Sequence, residues 1–459
     1  MSTRVIVLAA GKGVRMRSST PKVLHVAAGM TLLEWVLAAV SHLDPAETTV
    51  VVGHKADEIR SVLPDGTLSP LQDPQHGTGH AARVGLDSLS GMSGPIVVVP
   101  GDMPLITGEA LKSLVAHHTS TGATATVMSV EVADPFGYGR VVRDGESVIG
   151  IIEEADASDS EKAITEVNTS VYVFDGSDLD AALDQITTDN AQEEYYLTDV
   201  IGILARAGKS VAALRVPAEM GSGVNTNTQL AMVAEVLRHR INLELLESGV
   251  WMLDPQRVYI DASVTVEPSA RLYPEVYLTG STTVGARAAV GPNVQASDSA
   301  IGNDAVVKQA VMFEATVGDG ALVGPFAYLR PGAVLADGAK VGTYVEVKRS
   351  TIGRGSKVPH LSYIGDAQIG EDTNIGAGTV TVNYDGYEKF PTHIGNRVRI
   401  GSDTMLIAPV SIGDDAVTGA GSVIVNDVPD GALGVSRDPQ RNVDGYAERR
   451  RKQAEEEQS

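Results

Sequence analysis

Thr316-Val317-Gly318-Asp319-Gly320-Ala321-Leu322-Val323-Gly324-Pro325-Phe326-Ala327-Tyr328-Leu329 carries an aliphatic residue at every sixth position, and the spacing continues through Leu335, Val341 and Val347. Ile260, Val266, Leu272, Leu278, Val284 and Val290 keep the same period upstream, and Ile394, Ile400, Leu406 and Ile412 keep it downstream. Glycine often follows the aliphatic residue, as in Ile301-Gly302, Val323-Gly324, Ile352-Gly353, Ile375-Gly376 and Ile400-Gly401. This is the signature of a parallel β-helix built from hexapeptides, whose aliphatic side chains point inward and stack on equivalents in adjacent coils. The register slips near Ile301 and near Ile352, which predicts short coils or loops there. Aromatic residues make up only 4% of the chain and glycines number 48, which suits a core of small and β-branched side chains.

Before the repeat, residues 228–249 read as a helix with Leu230, Val233, Leu237, Ile241 and Leu245 on one face and Gly249 as its stop. It reads as a linker between two domains. Residues 1–227 alternate apolar runs with helical patterns. Val5 to Ala10, Val50-Val51-Val52-Gly53 and Ile96-Val97-Val98-Val99-Pro100 predict buried strands, and Leu32 to Val40 and Leu111 to His117 predict helices. Such alternation implies a mostly parallel, doubly wound sheet, whose ligands bind beyond the carboxyl ends of the strands.

The first strand runs directly into Gly11-Lys12-Gly13-Val14-Arg15-Met16, with Pro21-Lys22 just beyond. A tight strand-to-helix turn offers unpaired backbone N–H groups to an anion. Five basic residues (Arg4, Lys12, Arg15, Arg17, Lys22) precede the first acidic one, Glu34, in a chain of net charge −22. Phosphate is the natural ligand, with Arg15 a planar clamp and Lys22 a point charge. The segment is neither a Walker A loop nor the dinucleotide fingerprint, because the Gly-Lys-Ser/Thr and the third glycine are missing.

A length of 459 residues allows two or three domains. The acidic balance argues against nucleic acid or an anionic membrane as partner. No cysteine is present, which excludes disulfides, thiolate nucleophiles and cysteine zinc sites and fits a reducing cytoplasmic setting. No signal peptide pattern follows Met1, and no apolar run is long enough to span a membrane. Between Arg330 and His360, six basic residues face two acidic ones, which marks a second anion site on the repeat domain. His360 is the natural base there, because imidazole titrates near working pH.

These residues sit in recognisable motifs. The N-terminal marks are Leu8-Ala9-Ala10-Gly11-x-Gly13-x-Arg15-Met16, Pro21-Lys22-Val23-Leu24-His25, Gln72 with Gly77-Thr78-Gly79-His80-Ala81, and Gly101-Asp102-x-Pro104-Leu105. Gly137-Tyr138-Gly139-Arg140, Glu153, Asn168-Thr169, Glu194-Tyr195-Tyr196-Leu197-Thr198-Asp199 and Gly223-Val224-Asn225 follow. The C-terminal marks are Leu329-Arg330-Pro331-Gly332, Glu346 with Lys348, Gly355-Ser356-Lys357 with His360, and Tyr363-Ile364-Gly365-Asp366. Asn374-Ile375-Gly376-Ala377-Gly378, Asn383-Tyr384-Asp385-Gly386 and Gly401-Ser402 complete them. Over nearly its whole length the chain resembles the bacterial family of bifunctional N-acetylglucosamine-1-phosphate uridylyltransferases and glucosamine-1-phosphate N-acetyltransferases. Val14 departs from that pattern, which usually has threonine there.

The resemblance implies a Rossmann-like nucleotidyltransferase sheet over 1–227, a linker helix over 228–250, a left-handed parallel β-helix acetyltransferase domain over 251–442 and a mobile C-terminal arm over 443–459. It implies that UTP and the product sugar nucleotide are bound by Leu8, Ala9, Ala10, Gly11, Arg15, Lys22, Gln72, Gly77, Thr78 and Asn225. Gly139, Glu153 and Asn168 would take the N-acetylglucosamine ring. Asp102 and Asn225 would hold Mg²⁺, a hard ion suited to oxygen donors. In the C-terminal site, Arg330, Lys348 and Tyr363 are assigned to the sugar phosphate, and Glu346, Asn374 and Asn383 to the sugar. Ala377, Ser402, Ala420 and Arg437, with Asn383 and Tyr384, are assigned to acetyl-CoA, and His360 acts as base. Glucosamine-1-phosphate, acetyl-CoA, UTP and N-acetylglucosamine-1-phosphate would be the small-molecule partners of a cytoplasmic homotrimer. A single-activity sugar nucleotidyltransferase whose β-helix only regulates or trimerises is the alternative, and His360 within its basic segment discriminates between them. A non-enzymatic assembly subunit would have no use for Gly11, Arg15, Lys22 and Asp102.

Overall fold

In the computed structural model, which describes residues 2–458, the chain forms two compact units, Met1–Ile241 and Asn242–Ser459. The first is built on strands β1 (Arg4–Ala9), β2 (Glu47–Val52), β3 (Pro95–Pro100), β4 (Ala125–Glu131), β5 (Arg140–Asp144), β6 (Ser147–Ile152), β7 (Glu166–Asp175) and β8 (Val211–Arg215). Their order is β8-β4-β7-β3-β1-β2, with β5 and β6 forming a hairpin on β7. The pairs β1–β2, β1–β3 and β4–β8 are parallel, as strand–helix alternation predicts.

Strand β7 runs the other way, antiparallel to both β3 and β4, so the sheet is mixed. Its apolar run, Val171-Tyr172-Val173-Phe174, is buried on both faces whichever way it points. Periodicity reports burial and not direction, which is why the reversal escapes a sequence reading. Helices cover both faces. α1 (Leu32–Ser41) and α3 (Gly108–Thr121) pack Val36, Leu111 and Leu114 against Val5, Val7, Val97 and Val99. α2 (Thr78–Ser88) packs Leu86 against Ile6, Val51 and Val98 on the other face. Each such buried side chain contributes about 1.5–3 kcal/mol relative to exposure. Thr31 starts α1 through a reciprocal capping box with Glu34, and the Thr107 hydroxyl caps α3 by accepting from the Ala110 N–H.

Helix α4 (Asn227–Glu247) lies where the apolar stripe predicts it, and the division between the two units falls inside it. Val233 and Leu237 are buried with Met16, Leu32 and Leu105 of the first unit. Asn242, already in the second unit, donates to the carbonyls of Pro255 (2.7 Å) and Val258 (2.9 Å). Gly249 ends the helical segment at φ +99, a left-handed value that glycine adopts without strain.

The second unit is a left-handed parallel β-helix of three ladders of parallel strands, 11, 10 and 9 strands long. Registers such as Val258↔Val276, Val276↔Val294 and Val294↔Ala310 stack like on like, and those side chains are buried. One corner shows how the coils are locked. The Asn303 side-chain oxygen accepts from the Ala286 N–H, Asp319 from Asn303 and Asp337 from Asp319, across sequence separations of 17, 16 and 18 residues. A Cβ on Gly302 would stand 2.6 Å from the Asp319 carboxylate, so glycine follows the aliphatic residue to admit the next coil's side chain. The slips near Ile301 and Ile352 are coils of 16 or 17 residues. The hexapeptide spacing does not predict a longer coil. The same ladder steps 25 residues from Glu371 to Asn396, because Asn383–Pro391 loops out. The last element, α5 (Tyr446–Glu456), is a helix exposed at every position, within the segment read from its charge pattern as a mobile arm.

Candidate functional sites

At one edge of the first unit's sheet, β1, β2 and β3 end together. Leu8 sits level with Val51 and Pro100, and its carbonyl accepts the Gly101 N–H at 2.9 Å. Leu8, Ala9 and Ala10 thus deliver Gly11 to the edge that also carries Gly101-Asp102. Beyond Gly11, Arg15 lies exposed on a single helical turn, Val14–Met16. The Lys22 ammonium is ion-paired to Asp102 Oδ2 and donates to Asn225 Oδ1 at 3.1 Å. Side-chain exposures of 17% and 14% for Lys22 and Asp102 place this pair largely out of water. Asn225 arrives through a loop fixed by the Val224 N–H on the Asp102 carbonyl (2.9 Å).

Two hard oxygen donors, one carboxylate and one amide, therefore aim at a point already occupied by a cation. Next to them Gly223 keeps space, since even a Cβ there would lie 3.9 Å from Asp102 Oδ1. This arrangement fits Mg²⁺, which takes few protein oxygens and completes its shell with water and phosphate. Among the described residues no group of three or more His, Asp or Glu gathers into a richer metal cage.

Two further clusters share the unit. Gln72, buried, donates through Nε2 to the Gly77 carbonyl (3.0 Å) and meets His80 Nδ1 at 3.3 Å. Burial, then the neighbouring His76, holds the His80 imidazole below its ordinary range. Thr78 Oγ1 accepts the Leu197 N–H at 3.1 Å. In the second cluster the Asn168 N–H donates to the Gly139 carbonyl (2.8 Å), and the Asn168 amide donates to Tyr172 OH (2.7 Å). A Cβ on Gly139 would sit 3.3 Å from Glu153 Oε2, so glycine leaves that carboxylate accessible. Burial raises the Glu153 carboxyl above the usual range against the Thr198 hydroxyl, which donates to Oε1 at 3.1 Å.

Segment Glu194–Asp199 joins the two clusters. The Tyr195 N–H binds the His76 carbonyl and its own carbonyl accepts from Gly79, while Leu197 reaches Thr78 and Thr198 reaches Glu153. The sequence marks this segment as a motif but assigns it no role. The Tyr196 hydroxyl is buried without a partner, and burial with Asp156 and Glu153 pushes it up to about 12.

In the second unit, Tyr328, Glu346 and Tyr363 stack on one face, and Arg330 pairs with Glu346 at 2.8 Å, both side chains being 36% exposed. Lys348 lies in the next row. Contact with Lys389, then partial burial and the charges of Arg330 and Arg349, push its ammonium below the usual lysine range. Lys389 belongs to the outlying loop of the long coil, so hexapeptide periodicity gives no cue to it. Only its charge signals it. Arg349 pairs with Asp366 (2.7 Å), which also accepts from the Asn383 amide. An open pocket of about 680 Å³ is lined by Arg349, Asp366, Tyr384 and Lys389 among others.

His360 is exposed at the end of strand Lys357–His360, level with Thr343 on the preceding coil. The pairings Lys357↔Asn374, Asn374↔Arg399 and Arg399↔Val417 carry that column forward through Ala377, Ser402 and Ala420. Arg437 Nη1 closes it on the Ala420 carbonyl at 2.8 Å. Coils of unequal length hide this column from sequence spacing. Asn374 lies three residues before Ala377 on the same coil, level with Lys357.

Comparison with known proteins agrees with both halves. The MobA-like NTP transferase domain family matches residues 5–167, and the bacterial transferase hexapeptide family, of six repeats, matches residues 391–426. The bifunctional protein GlmU of Streptomyces avermitilis is 48% identical over 97% of this chain and 94% of its own. The protein of the same name from Mycobacterium bovis is 46% identical over 98% of this chain and 93% of its own, and that of Streptococcus agalactiae 44% over 98% of each.

Proposed function

The chain belongs to the bifunctional GlmU family, and we propose that its two chemistries occupy the two separate clusters, one in each unit. It is an enzyme of UDP-N-acetylglucosamine synthesis, with an acetyltransferase and a uridylyltransferase activity. The first step transfers the acetyl group of acetyl-CoA to the amine of glucosamine-1-phosphate with release of the CoA thiol, and the second transfers the uridylyl group of UTP to N-acetylglucosamine-1-phosphate with release of pyrophosphate. The observation that carries the assignment is that the Lys22, Asp102 and Asn225 cluster lies within the first unit, whereas the Arg330–Glu346 pair and the Lys348–Lys389 contact lie within the second.

In the uridylyl site, crowded negative charge is the barrier, so positioned cations do most of the work. Asp102 and Asn225 hold Mg²⁺, which supplies charge neutralisation at the phosphates when bound. Arg15, Lys22 and the backbone of Gly11 take phosphate oxygens. Gln72, with Gly77 and Thr78, reads uracil. Gly139, Glu153 and Asn168 take the sugar. In the acetyl site, Arg330, Lys348, Tyr363 and Lys389 hold the sugar phosphate, with Glu346, Asn374 and Asn383 on the sugar. His360 Nε2 or Nδ1 removes the proton of the attacking amine, and the Ala377 N–H faces the oxyanion. Ser402, Ala420, Tyr384 and Arg437 extend the acetyl-CoA path along the corner column. The enzyme works in the cytoplasm as a homotrimer assembled through the β-helix, a reading supported by exposed Val311, Phe326 and Tyr328 around an open groove of about 550 Å³.

The test is one reaction mixture. Full-length protein with UTP, acetyl-CoA, Mg²⁺ and glucosamine-1-phosphate should release free thiol first and pyrophosphate second. With acetyl-CoA withheld, adding N-acetylglucosamine-1-phosphate should restore pyrophosphate release alone. Thiol release without pyrophosphate in the first mixture, together with no pyrophosphate in the second, would overturn the proposed uridylyl site.

A further inference from the structure

Lys22 stands in the position that the proposed metal site needs. Its single ammonium nitrogen engages Asp102 Oδ2 and Asn225 Oδ1, one carboxylate oxygen and the amide oxygen of the two residues assigned to the ion. A divalent ion held by this carboxylate and this amide would stand close to the ammonium, and like charges at such a distance repel strongly in a site so little exposed. One must leave. The backbone of Lys22 is not free to do so. Pro21 precedes it, the turn Lys22–Leu24 follows, and Gly13 is so close that a Cβ there would lie 2.6 Å from Lys22 Cβ. The side chain is a flexible four-carbon stem with three rotatable donors, so displacement is a rotation of the stem about a fixed root. That root packs against Gly13 of the glycine loop, the loop proposed to take phosphate, so an ammonium released from Asp102 has that loop within reach of its stem.

We propose that Lys22 is a resident counter-ion that the divalent ion displaces, and that the displaced ammonium is then recruited by the nucleotide phosphates. This rests on the reading of Asp102 and Asn225 as the metal ligands. The consequence is thermodynamic coupling. Without nucleotide, the ion must evict Lys22 into solvent, which weakens its binding. With nucleotide, the evicted ammonium gains phosphate partners, so each ligand strengthens the other by the same factor. Lys22 thus serves as both a competitor and a partner of the metal, according to what occupies the glycine loop.

The experiment titrates full-length protein with Mn²⁺ and follows the free-ion electron paramagnetic resonance signal, with and without a non-hydrolysable UTP analogue. Wild type should bind Mn²⁺ weakly alone and about 10-fold or more tightly with the analogue, within the usual range of coupling between sites. Lys22→Met should bind Mn²⁺ about 10-fold more tightly than wild type without nucleotide, and the further tightening by the analogue, after subtraction of Mn²⁺ held by free analogue, should be smaller than in wild type. Lys22→Gln, which keeps a polar end without the charge, should behave like Lys22→Met, and unchanged far-ultraviolet circular dichroism identifies folded samples. A folded Lys22 variant that binds Mn²⁺ no better than wild type in the absence of nucleotide overturns the proposal. Asp102→Asn separates the two levels of argument. It should lose this Mn²⁺ site, and if it binds as wild type does, the ligand assignment itself fails and the inference falls with it.

Discussion

The two units build anion sites in opposite ways. In the first, Lys22, Asp102 and Asn225 meet across separations of 80 and 203 residues, so the site exists only once the whole sheet is assembled. In the second, partners recur about one coil apart: Arg330 to Glu346 at 16 residues, Asp366 to Asn383 at 17. A mixed α/β sheet concentrates chemistry where strand ends converge, and any of several distant segments can spoil it. A solenoid spreads chemistry along a corner, and each coil depends mainly on its neighbours. The same chain thus carries one site that is globally wired and one that is locally wired.

The sharpest way to break this contrast is at Asp102. Asp102→Ala should lower uridylyl transfer by about 10³-fold or more, because charge neutralisation at the phosphates is lost. Acetyl transfer, measured by thiol release on the same sample, should be unchanged. Equal loss of both would mean that the sites are not independent.

Acid gives the next largest effect and should distinguish the wiring directly. Glu166 accepts from Ser129 of β4, Arg143 of β5 and Arg215 of β8. Burial alone would raise its carboxyl, but the hydrogen bonds from Arg143 and Ser129 and the charges of Arg143 and Arg215 prevail and bring it to about 2. A carboxyl depressed in the folded state contributes stability above its unfolded value of about 4.5, and that contribution is lost as pH falls toward about 2. The stake is up to about 3 kcal/mol. The first unit should therefore melt earlier than the β-helix in calorimetry at pH 3, and Glu166→Gln should be less stable at pH 7 but lose less on acidification. The shifted carboxylates of the β-helix corners, such as Asp304 with Arg287 and Asp415 with Arg397, are exposed and paired to an adjacent coil.

His360→Ala tests the local side. It should lower acetyl-transfer kcat by about 10²-fold with modest change in KM, and rising pH should partly restore it as more of the substrate amine becomes neutral. Uridylyl transfer should not move. The smallest effect tests the segment that joins two clusters. Thr198→Val removes one hydrogen bond to Glu153 and should raise KM for N-acetylglucosamine-1-phosphate by about 3- to 10-fold with little change in kcat. Thr198→Ser should restore it.

How much could be read in advance follows the same division. Inward-pointing aliphatics every six residues announce the β-helix without any long-range information, and Val5 to Ala10 announces a buried strand. The direction of Glu166–Asp175 was not legible, because a strand buried on both faces carries no record of its sense. Lys22, Asp102 and Asn225 could each be nominated from a motif. That they converge on one another, with the lysine ammonium on both oxygens, is a property of the folded sheet. The reverse failing affects the second unit. Its repeat is plain, yet the alignment of His360 with Ala377, Ser402 and Ala420 depends on coil lengths of 17, 25 and 18 residues, values that show only in the ladder hydrogen bonds. Lys389 sits in the part of the longest coil that obeys no repeat, so the period does not point to it.

That longest coil has a further consequence. A screw thread made of near-identical turns can be engaged one turn too early or too late, because every aliphatic residue finds an equivalent seat. The loop Asn383–Pro391 removes this degeneracy. Were the chain to wind one turn out of step, the loop would fall at a corner built for a tight turn, and the coil beneath it would be left short of backbone. One irregular turn therefore works as an index mark on an otherwise uniform thread, fixing which turn is which while the solenoid winds.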